Sequence, residues 1–429
     1  MHAYFDGAGW QLFVGDCHVS MTFIADASVD SVVCDPPYEL GFMGKSWDAS
    51  GIANDSAMWA EVLRILKPGG HLLAFSGSRT YHRMVCAIED AGFEIRDQIM
   101  WVYGSGFPKS LDVSKAIDKT MGAEREILRK SADRRNDGTT YGLGHSGSVT
   151  SGEPITAAAA WSGWGTALKP AHEPIVMARK PLIGTVVENV LAHGTGAINV
   201  DGCRVDGDGA KQWSTPRGGI GFPDTAATAE LIDNQQGRWP ANLIHDGSDE
   251  VLAAFPDAKG QQGDLLNHTN DRQSPHGCYG KMAAADHIAR RDVSTSAARF
   301  FYCAKASKSD RNAGCDTLNH KSAAECTDRQ DASAGLNSPR AGAGRTSGAV
   351  NNHPTVKPNE LMRYLCRLVT PPGGTVFDPF TGSGSTGRAA LQEGFKFIGC
   401  ELDSDADGNP MGYTEIIIAR LNGATDQCV

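Results

Sequence analysis

Short apolar runs alternate with stretches whose apolar residues recur every three or four positions, and this alternation is clearest at the two ends of the chain. Near the start, Trp10 to Val14 predicts a strand that closes on Gly15-Asp16, followed by a short helical stretch and a second strand from Val29 to Cys34. Met58, Trp59, Val62, Leu63 and Leu66 then fall on one helical face, with Ser56 as the candidate cap. Lys67-Pro68-Gly69-Gly70 predicts the end of that helix, and His71 to Phe75 the next strand. Phe93 to Tyr103 predicts a further strand, with Glu173-Pro174-Ile175-Val176-Met177-Ala178-Arg179 as its antiparallel partner. Alternation of strand, helix and strand predicts an α/β fold on a parallel sheet.

The pattern weakens in the middle. Residues 104 to 170 carry Gly, Ser, charged and Ala-rich segments such as Asp137-Gly138-Thr139-Thr140-Tyr141-Gly142, which predict an exposed insertion of irregular structure. From 181 to 345 only short strands, turns and polar loops are expected, with Gly-rich sequence around Ala332 to Ala349. Periodicity returns at Pro358, which can open a helix carrying Leu361, Met362, Leu365, Leu368 and Val369 on one side. Pro371-Pro372-Gly373-Gly374 breaks it before a last apolar run, Thr375 to Phe377.

Composition narrows the class. With 429 residues, 41% of them hydrophobic, the chain can bury a large core in two domains or in one domain with a big insertion. No run approaches a membrane span, and Met1-His2-Ala3-Tyr4-Phe5-Asp6 lacks the basic and apolar regions of a signal peptide, so a cytoplasmic location is expected. Eleven cysteines, with no Cys-x-x-Cys pair, argue against a disulfide framework. Cys303, Cys315, His320 and Cys326 miss the paired spacing of zinc ligands, so no metal is expected.

Two short motifs carry the chemistry. Asp35-Pro36-Pro37-Tyr38 closes the strand from Val29, and Asp378-Pro379-Phe380-Thr381-Gly382-Ser383-Gly384 closes the strand from Thr375. Both would lie at the carboxyl ends of neighbouring strands, where open α/β sheets hold their ligands. The run Gly382-Ser383-Gly384-Ser385-Thr386-Gly387 also spells the dinucleotide-binding fingerprint, with Glu401 and Asp403 near the distance of a ribose-binding acid. A nicotinamide or flavin enzyme is thus a rival, but too little chain follows Glu401 for the second mononucleotide half that such a fold needs.

Taken together, the two motifs resemble those of the DNA amino-methyltransferases, which methylate an exocyclic nitrogen of adenine or cytosine using S-adenosylmethionine. The base motif precedes the donor motif here, as in the circularly permuted β class. The resemblance covers roughly the first hundred and the last eighty residues. It implies a seven-stranded Rossmann-like methyltransferase sheet with permuted motif order and an inserted target-recognition region. Residues 1–103 would form the catalytic half and 104–170 an insertion. Residues 171–180 would form a returning sheet strand, 181–345 the recognition region, and 346–429 the donor-binding half.

In that family the Asp-Pro-Pro-Tyr segment holds the target base. The lone pair of the amino nitrogen is delocalised into the ring, so two acceptors must hold its hydrogens and pyramidalise it. Asp35 can supply a carboxylate oxygen and Pro36 a carbonyl, Pro36 and Pro37 stiffen the backbone, and Tyr38 offers a stacking face. The resemblance assigns the donor to the backbone at Phe380 to Gly384, including Thr381 and Gly382, beside Asp378, with Glu401 on the ribose and Asp16 on the donor's adenine. His353-Pro354-Thr355-Val356-Lys357-Pro358 matches the segment before the donor loop, with Val356 where Gln is usual, and puts Thr355 and Lys357 near the donor's carboxylate.

The implied partner is double-stranded DNA, with a homodimer and a cognate restriction nuclease as further family traits and a bacterial or phage-infected cytoplasm as the setting. Asp rather than Ser at position 35 favours N6 of adenine over N4 of cytosine. A relative that binds DNA but has lost catalysis is a further alternative. A cytosine C5 enzyme is disfavoured, because the chain has no Pro-Cys dipeptide to supply its nucleophile. The net charge of −10 does not suit phosphate contacts, so a local basic face is required. The candidates are Arg125, Arg129, Lys130, Arg134 and Arg135, then Arg299, Lys305, Lys308 and Arg311, with Lys45 and Trp47 in the loop after the base motif. Arg299-Phe300-Phe301-Tyr302-Cys303-Ala304-Lys305 reads as a stacking platform or as a buried strand with basic ends, and the second is favoured.

Overall fold

The computed structural model describes residues 3–41, 46–106, 110–123, 125, 127–130, 149–151, 157–205, 210–213, 231–234, 237–258, 296–305, 307–322, 348–404 and 408–425. Its first half runs β1 (Ala3–Gly7), β2 (Trp10–Val14), α1 (Cys17–Met21), β3 (Val29–Cys34), α2 (Ser56–Ile65), β4 (Leu66–Phe75), α3 (Tyr81–Asp90) and β5 (Glu94–Val102). The middle holds α4 (Val113–Thr120), β6 (Ile127–Lys130), β7 (Val149–Ser151), β8 (His172–Arg179), α5 (Val186–His193), β9 (Ala210–Trp213), β10 (Leu231–Asn234), β11 (Leu243–His245), α6 (Asp249–Ala254) and β12 (Tyr302–Cys303). The end holds α7 (Asn359–Val369), β13 (Thr375–Asp378), α8 (Ser385–Gln392), β14 (Lys396–Glu401) and α9 (Tyr413–Thr425).

Ten strands form one sheet in the order β1-β2-β14-β13-β3-β4-β8-β5-β11-β12. Its centre is parallel, and β8 runs antiparallel to both β4 and β5. The strands that end in the two motifs are therefore neighbours, with Val376 beside Ser31 and Phe377 beside Val32. The sheet exceeds the expected seven strands because β1 pairs with β2 as a hairpin and because β11 and β12, from the expected recognition region, extend the far edge.

Alternation along the central strands sends side chains into two cores, as a parallel sheet covered on both faces requires. Val33, Leu73, Val376 and Phe397 pack under Leu361, Leu365, Ala389 and Leu421, on the side of α7, α8 and α9. Val32, Cys34, Leu72 and Phe377 pack under Met58, Trp59, Val62 and Met84, on the side of α2 and α3. Cys34 thus turns away from the cavity described below.

Three local expectations are corrected. Asp55, not Ser56, caps α2, its carboxylate accepting from Ala57 N at 2.9 Å. Lys67-Pro68-Gly69-Gly70 does not end the helix but belongs to β4, which begins at Leu66. Gly69 takes φ +77°, the pairing with β3 slips between Val29 and Ser31, and the Pro68 carbonyl turns out to accept from Asn189 and Thr195, so the segment is a bulge inside the strand. In the region from 104 to 170, α4 is a regular helix: Asp112 caps it, and Arg125 binds the buried Asp118 at 2.6 Å. Among the described residues no helix is long and apolar enough to cross a membrane.

Candidate active site

Both motif loops line one cavity of about 260 Å³ at the carboxyl end of β3 and β13. Asp35 and Pro37 of the base motif line what we term its base end, and Asp16, Phe380, Gly382 and Glu401 line its donor end. Thr355, Lys357, Asp378 and Thr381 lie along its wall, so every residue assigned to the donor except Gly384 meets the cavity. Gly384 caps α8 just behind it with φ +77° and donates to Thr381 O at 2.8 Å.

The donor end is built from backbone curled around carboxylates. Asp378 Oδ1 accepts from Phe380 N at 2.9 Å, and Glu401 Oε2 accepts from Gly382 N at 2.6 Å. Gly382 takes φ +56°, and a Cβ there would stand 3.1 Å from the ring of His353, so glycine is needed for both reasons. Burial pushes Asp378 up to about 7, against the pull of its hydrogen bonds from Thr386 and Phe380 N. Burial likewise pushes Glu401 up to about 7, against the Gly382 N–H. Asp16 caps α1, accepting from His18 N at 2.8 Å, while Gly15 N donates to Glu401 O at 2.8 Å and ties the loop to β14.

His353 was part of a sequence motif but had no assigned role. Its ring is buried against Tyr413, 4.5 Å between centroids, and Nδ1 lies 2.6 Å from Thr355 O. Burial pulls it down to about 4, so the ring is neutral above that pH, and the short contact makes Nδ1 the donor.

The base end is different. Lys357 Nζ donates to the Tyr38 hydroxyl and to Glu173 Oε2, each at 2.8 Å, and Tyr38 Oη donates to Glu173 Oε2 at 3.0 Å. The ammonium also stands 3.1 Å from Asp35 Oδ1 as an ion pair, and among the described residues no aligned hydrogen bond fills that buried oxygen. Burial raises the Asp35 carboxyl, and the Lys357 charge pulls it back. Lys357 was expected at the donor's carboxylate; its ammonium lies instead on the base motif, over the rings of Phe75 and Tyr38 at 4.6 and 5.2 Å. Tyr38 is fixed further by its N–H to Asp48 and by Thr80 Oγ1 donating to its carbonyl.

Glu173 was read only as a strand residue. Because β8 runs antiparallel to its neighbours, its first residues fall at the carboxyl edge of the sheet, with Glu173 opposite Trp101. Strand direction was the available signal.

Among the described residues, the basic clusters line no face of this cavity. Arg125 is spent on Asp118 and Ser114, Arg299 on the carbonyls of Ser296 and Ala258, and Arg311 on those of Asn351 and His353. Lys305 is exposed. Arg134, Arg135 and Lys45 lie outside the described residues, as do the side chains of Trp47, Arg129, Lys130 and Lys308. The segment from Arg299 is a turn of 3-10 helix ending at Phe300 and a two-residue edge strand, half-buried rather than buried.

Residues 29–406 match the family model described as DNA methylase, a span that takes in both motif loops and the strands between them. The chain belongs to the DNA methylase family. S-adenosylmethionine is the cofactor of that family, which removes the dinucleotide reading of the glycine run. Over 74 residues, 17% of this methylase and 23% of its relative, the chain is 46% identical to the DNA adenine methyltransferase YhdJ of Escherichia coli. Over 142 residues, 32% of the chain and 36% of the relative, it is 27% identical to the type II methyltransferase M.HindIII of Haemophilus influenzae. The matches thus span about a quarter to a third of these relatives' lengths. Among solved structures, the cytosine-N4-specific PvuII DNA methyltransferase is similar at a TM-score of 0.39 and 13% identity, covering 97% of this chain and 94% of that one.

Proposed function

We propose that this methylase transfers a methyl group from S-adenosylmethionine to N6 of an adenine flipped out of double-stranded DNA. The observation that carries the reading is the unfilled acceptor of Asp35 in the same cavity as the glycine turn after Asp378. An amino group has hydrogens to donate, and a buried carboxylate oxygen without a donor is costly unless a ligand supplies one. The donor end suits a cationic ligand, because Asp378 and Glu401 are buried there and neither has an ion-pair partner among the described residues.

When bound, S-adenosylmethionine supplies an electrophilic methyl carbon on sulfur. Glu401 and Asp16 would hold its ribose and adenine, and the backbone from Phe380 to Gly384 its methionine part. Asp35 Oδ1 and the Pro36 carbonyl accept the two amino hydrogens and turn the nitrogen lone pair toward the methyl group. With the donor held there, the nitrogen would bond to the methyl carbon as the carbon leaves sulfur, and the Asp35 carboxylate would take the amino proton that is lost. Flipping the base costs roughly a few kcal/mol, which stacking on Tyr38 would partly offset. The adenine preference rests on Asp35 at the head of the motif and on the stretch shared with a DNA adenine methyltransferase.

Expressing the methylase in an unmethylated host, digesting the DNA to nucleosides and weighing them tests this. N6-methyladenine is expected. N4-methylcytosine would overturn the choice of base, and unmodified DNA would overturn the activity.

A further inference from the structure

The Lys357 ammonium poses a problem for the base clamp. At 3.1 Å from Asp35 Oδ1, a lysine would ordinarily turn a hydrogen onto that oxygen and occupy the position the target amino group needs. Two of its three hydrogens are held on Glu173 Oε2 and the Tyr38 hydroxyl, which leaves at most the third for Asp35. Glu173 also receives the Tyr38 proton, so a single carboxylate oxygen fixes both groups that flank Asp35. All three charged side chains are largely withdrawn from water, Lys357 being 11% exposed and Asp35 and Glu173 each 19%.

We propose that Glu173 is a positioning residue of the methylase. It takes one hydrogen of Lys357 and, with the Tyr38 hydroxyl, leaves at most the third for Asp35, so that the ammonium neutralises the clamp while Oδ1 keeps a lone pair to accept from the target base. A lysine without Glu173 would have a further hydrogen to turn onto Asp35. A clamp without the lysine would lose its charge on burial. The arrangement resolves two requirements that conflict at one carboxylate: it must stay ionised in a dry site, and it must have an empty lone pair.

The proposal rests on the amino-methyltransferase reading. Lys357, Glu173 and Tyr38 face Asp35 from α7's leading segment, β8 and the motif itself, Asp378 faces it from β13, and Tyr103 stands near Glu173 and Lys357. Glu173→Gln removes the negative neighbour that raises the Asp35 carboxyl and releases the lysine onto it. Single-turnover methyl transfer into DNA at saturating S-adenosylmethionine should therefore fall by about 10²-fold, as for a misplaced reacting group. The acid limb of its pH profile should move to lower pH, while donor affinity by calorimetry stays within about two-fold. Lys357→Met should move the same limb the opposite way, to higher pH. A merely structural role for Glu173 would not produce opposite shifts.

Wild-type rate and an unmoved acid limb in Glu173→Gln, with the wild type active, would overturn the proposal and leave the methyltransferase reading intact. An inactive wild type would remove both. Should Glu173→Gln fail to fold, Glu173→Asp keeps the charge but shortens the reach: a lowered rate with the limb unmoved supports the proposal, and an unchanged rate overturns it.

Discussion

The two ends of the cavity solve the same problem, a buried carboxylate, in opposite ways. At the base end, Asp35 has a permanent cation beside it, and Lys357 in turn is shared among Asp35, Glu173 and Tyr38. At the donor end, Asp378 and Glu401 are held, among the described residues, by backbone N–H groups and Thr386, and burial lifts both to about 7. One end is electrostatically complete without a ligand and the other is not. The difference suits the two substrates: a neutral base brings no charge with which to ionise its acceptor, whereas S-adenosylmethionine arrives with a sulfonium and an ammonium. Preorganisation is thus built in protein where the ligand cannot supply it.

Removing the acceptor at the complete end should have the largest effect. Asp35→Ala leaves Lys357 on Glu173 and deletes the group that pyramidalises the amine, so single-turnover transfer should fall by about 10²–10³-fold. Donor affinity, measured by calorimetry, should change by less than about two-fold, since the groups assigned to the donor belong to the other motif loop. Equal losses in both would mean that the two ends are not separable.

That separation was partly legible in the sequence. Apolar runs closing on Asp35 and Asp378 placed both loops at the carboxyl edge of a parallel sheet, and their strands are indeed adjacent. The face of α7 was equally plain, because Leu361, Met362, Leu365, Leu368 and Val369 recur at helical spacing and all are buried. Pro68-Gly69-Gly70 misled because the same residues that stop a helix also make a bulge, and only the donors Asn189 and Thr195, more than a hundred residues away, decide which. Arg125, Arg299 and Arg311 were ambiguous because a run of charge does not reveal whether its partner is a phosphate or a carboxylate or carbonyl of the same chain. Glu173 needed the direction of β8, since an acid at the start of an antiparallel strand shares an edge with acids at the ends of parallel ones.

An intermediate effect is expected at the incomplete end. With Glu401 raised from its ordinary value of 4.5 to about 7, the folded chain binds more protons than the unfolded one between those values, so this group lowers stability as pH rises through that window. The ligand reverses the balance by favouring the ionised form. Affinity for S-adenosylmethionine should therefore weaken about ten-fold from pH 8 to pH 6, the consequence of one proton taken up by the free site. Glu401→Gln should weaken binding about ten-fold at pH 8, flatten that dependence, and stabilise the ligand-free protein near pH 8 by about 1–3 kcal/mol in a denaturant titration. An unaltered pH dependence in the variant would take the proton away from Glu401 and leave Asp378 as its site.

The smallest effect belongs to Asp16, where a structural role and a ligand role share one side chain. Its Oδ1 caps α1 through His18 N at 2.8 Å, and loss of such a cap costs about 1 kcal/mol. The remaining oxygen is the one expected to accept from the amino group of the donor's adenine. Asparagine caps a helix about as well as aspartate, but with its carbonyl committed to the cap it presents an NH₂ group where that second acceptor stood. Asp16→Asn should therefore leave the melting temperature unchanged while weakening S-adenosylmethionine several-fold, by about 1 kcal/mol. Asp16→Ala should lower both. If Asp16→Asn binds the donor as the wild type does, Asp16 serves the helix alone, and the donor end rests on Glu401 and the glycine turn.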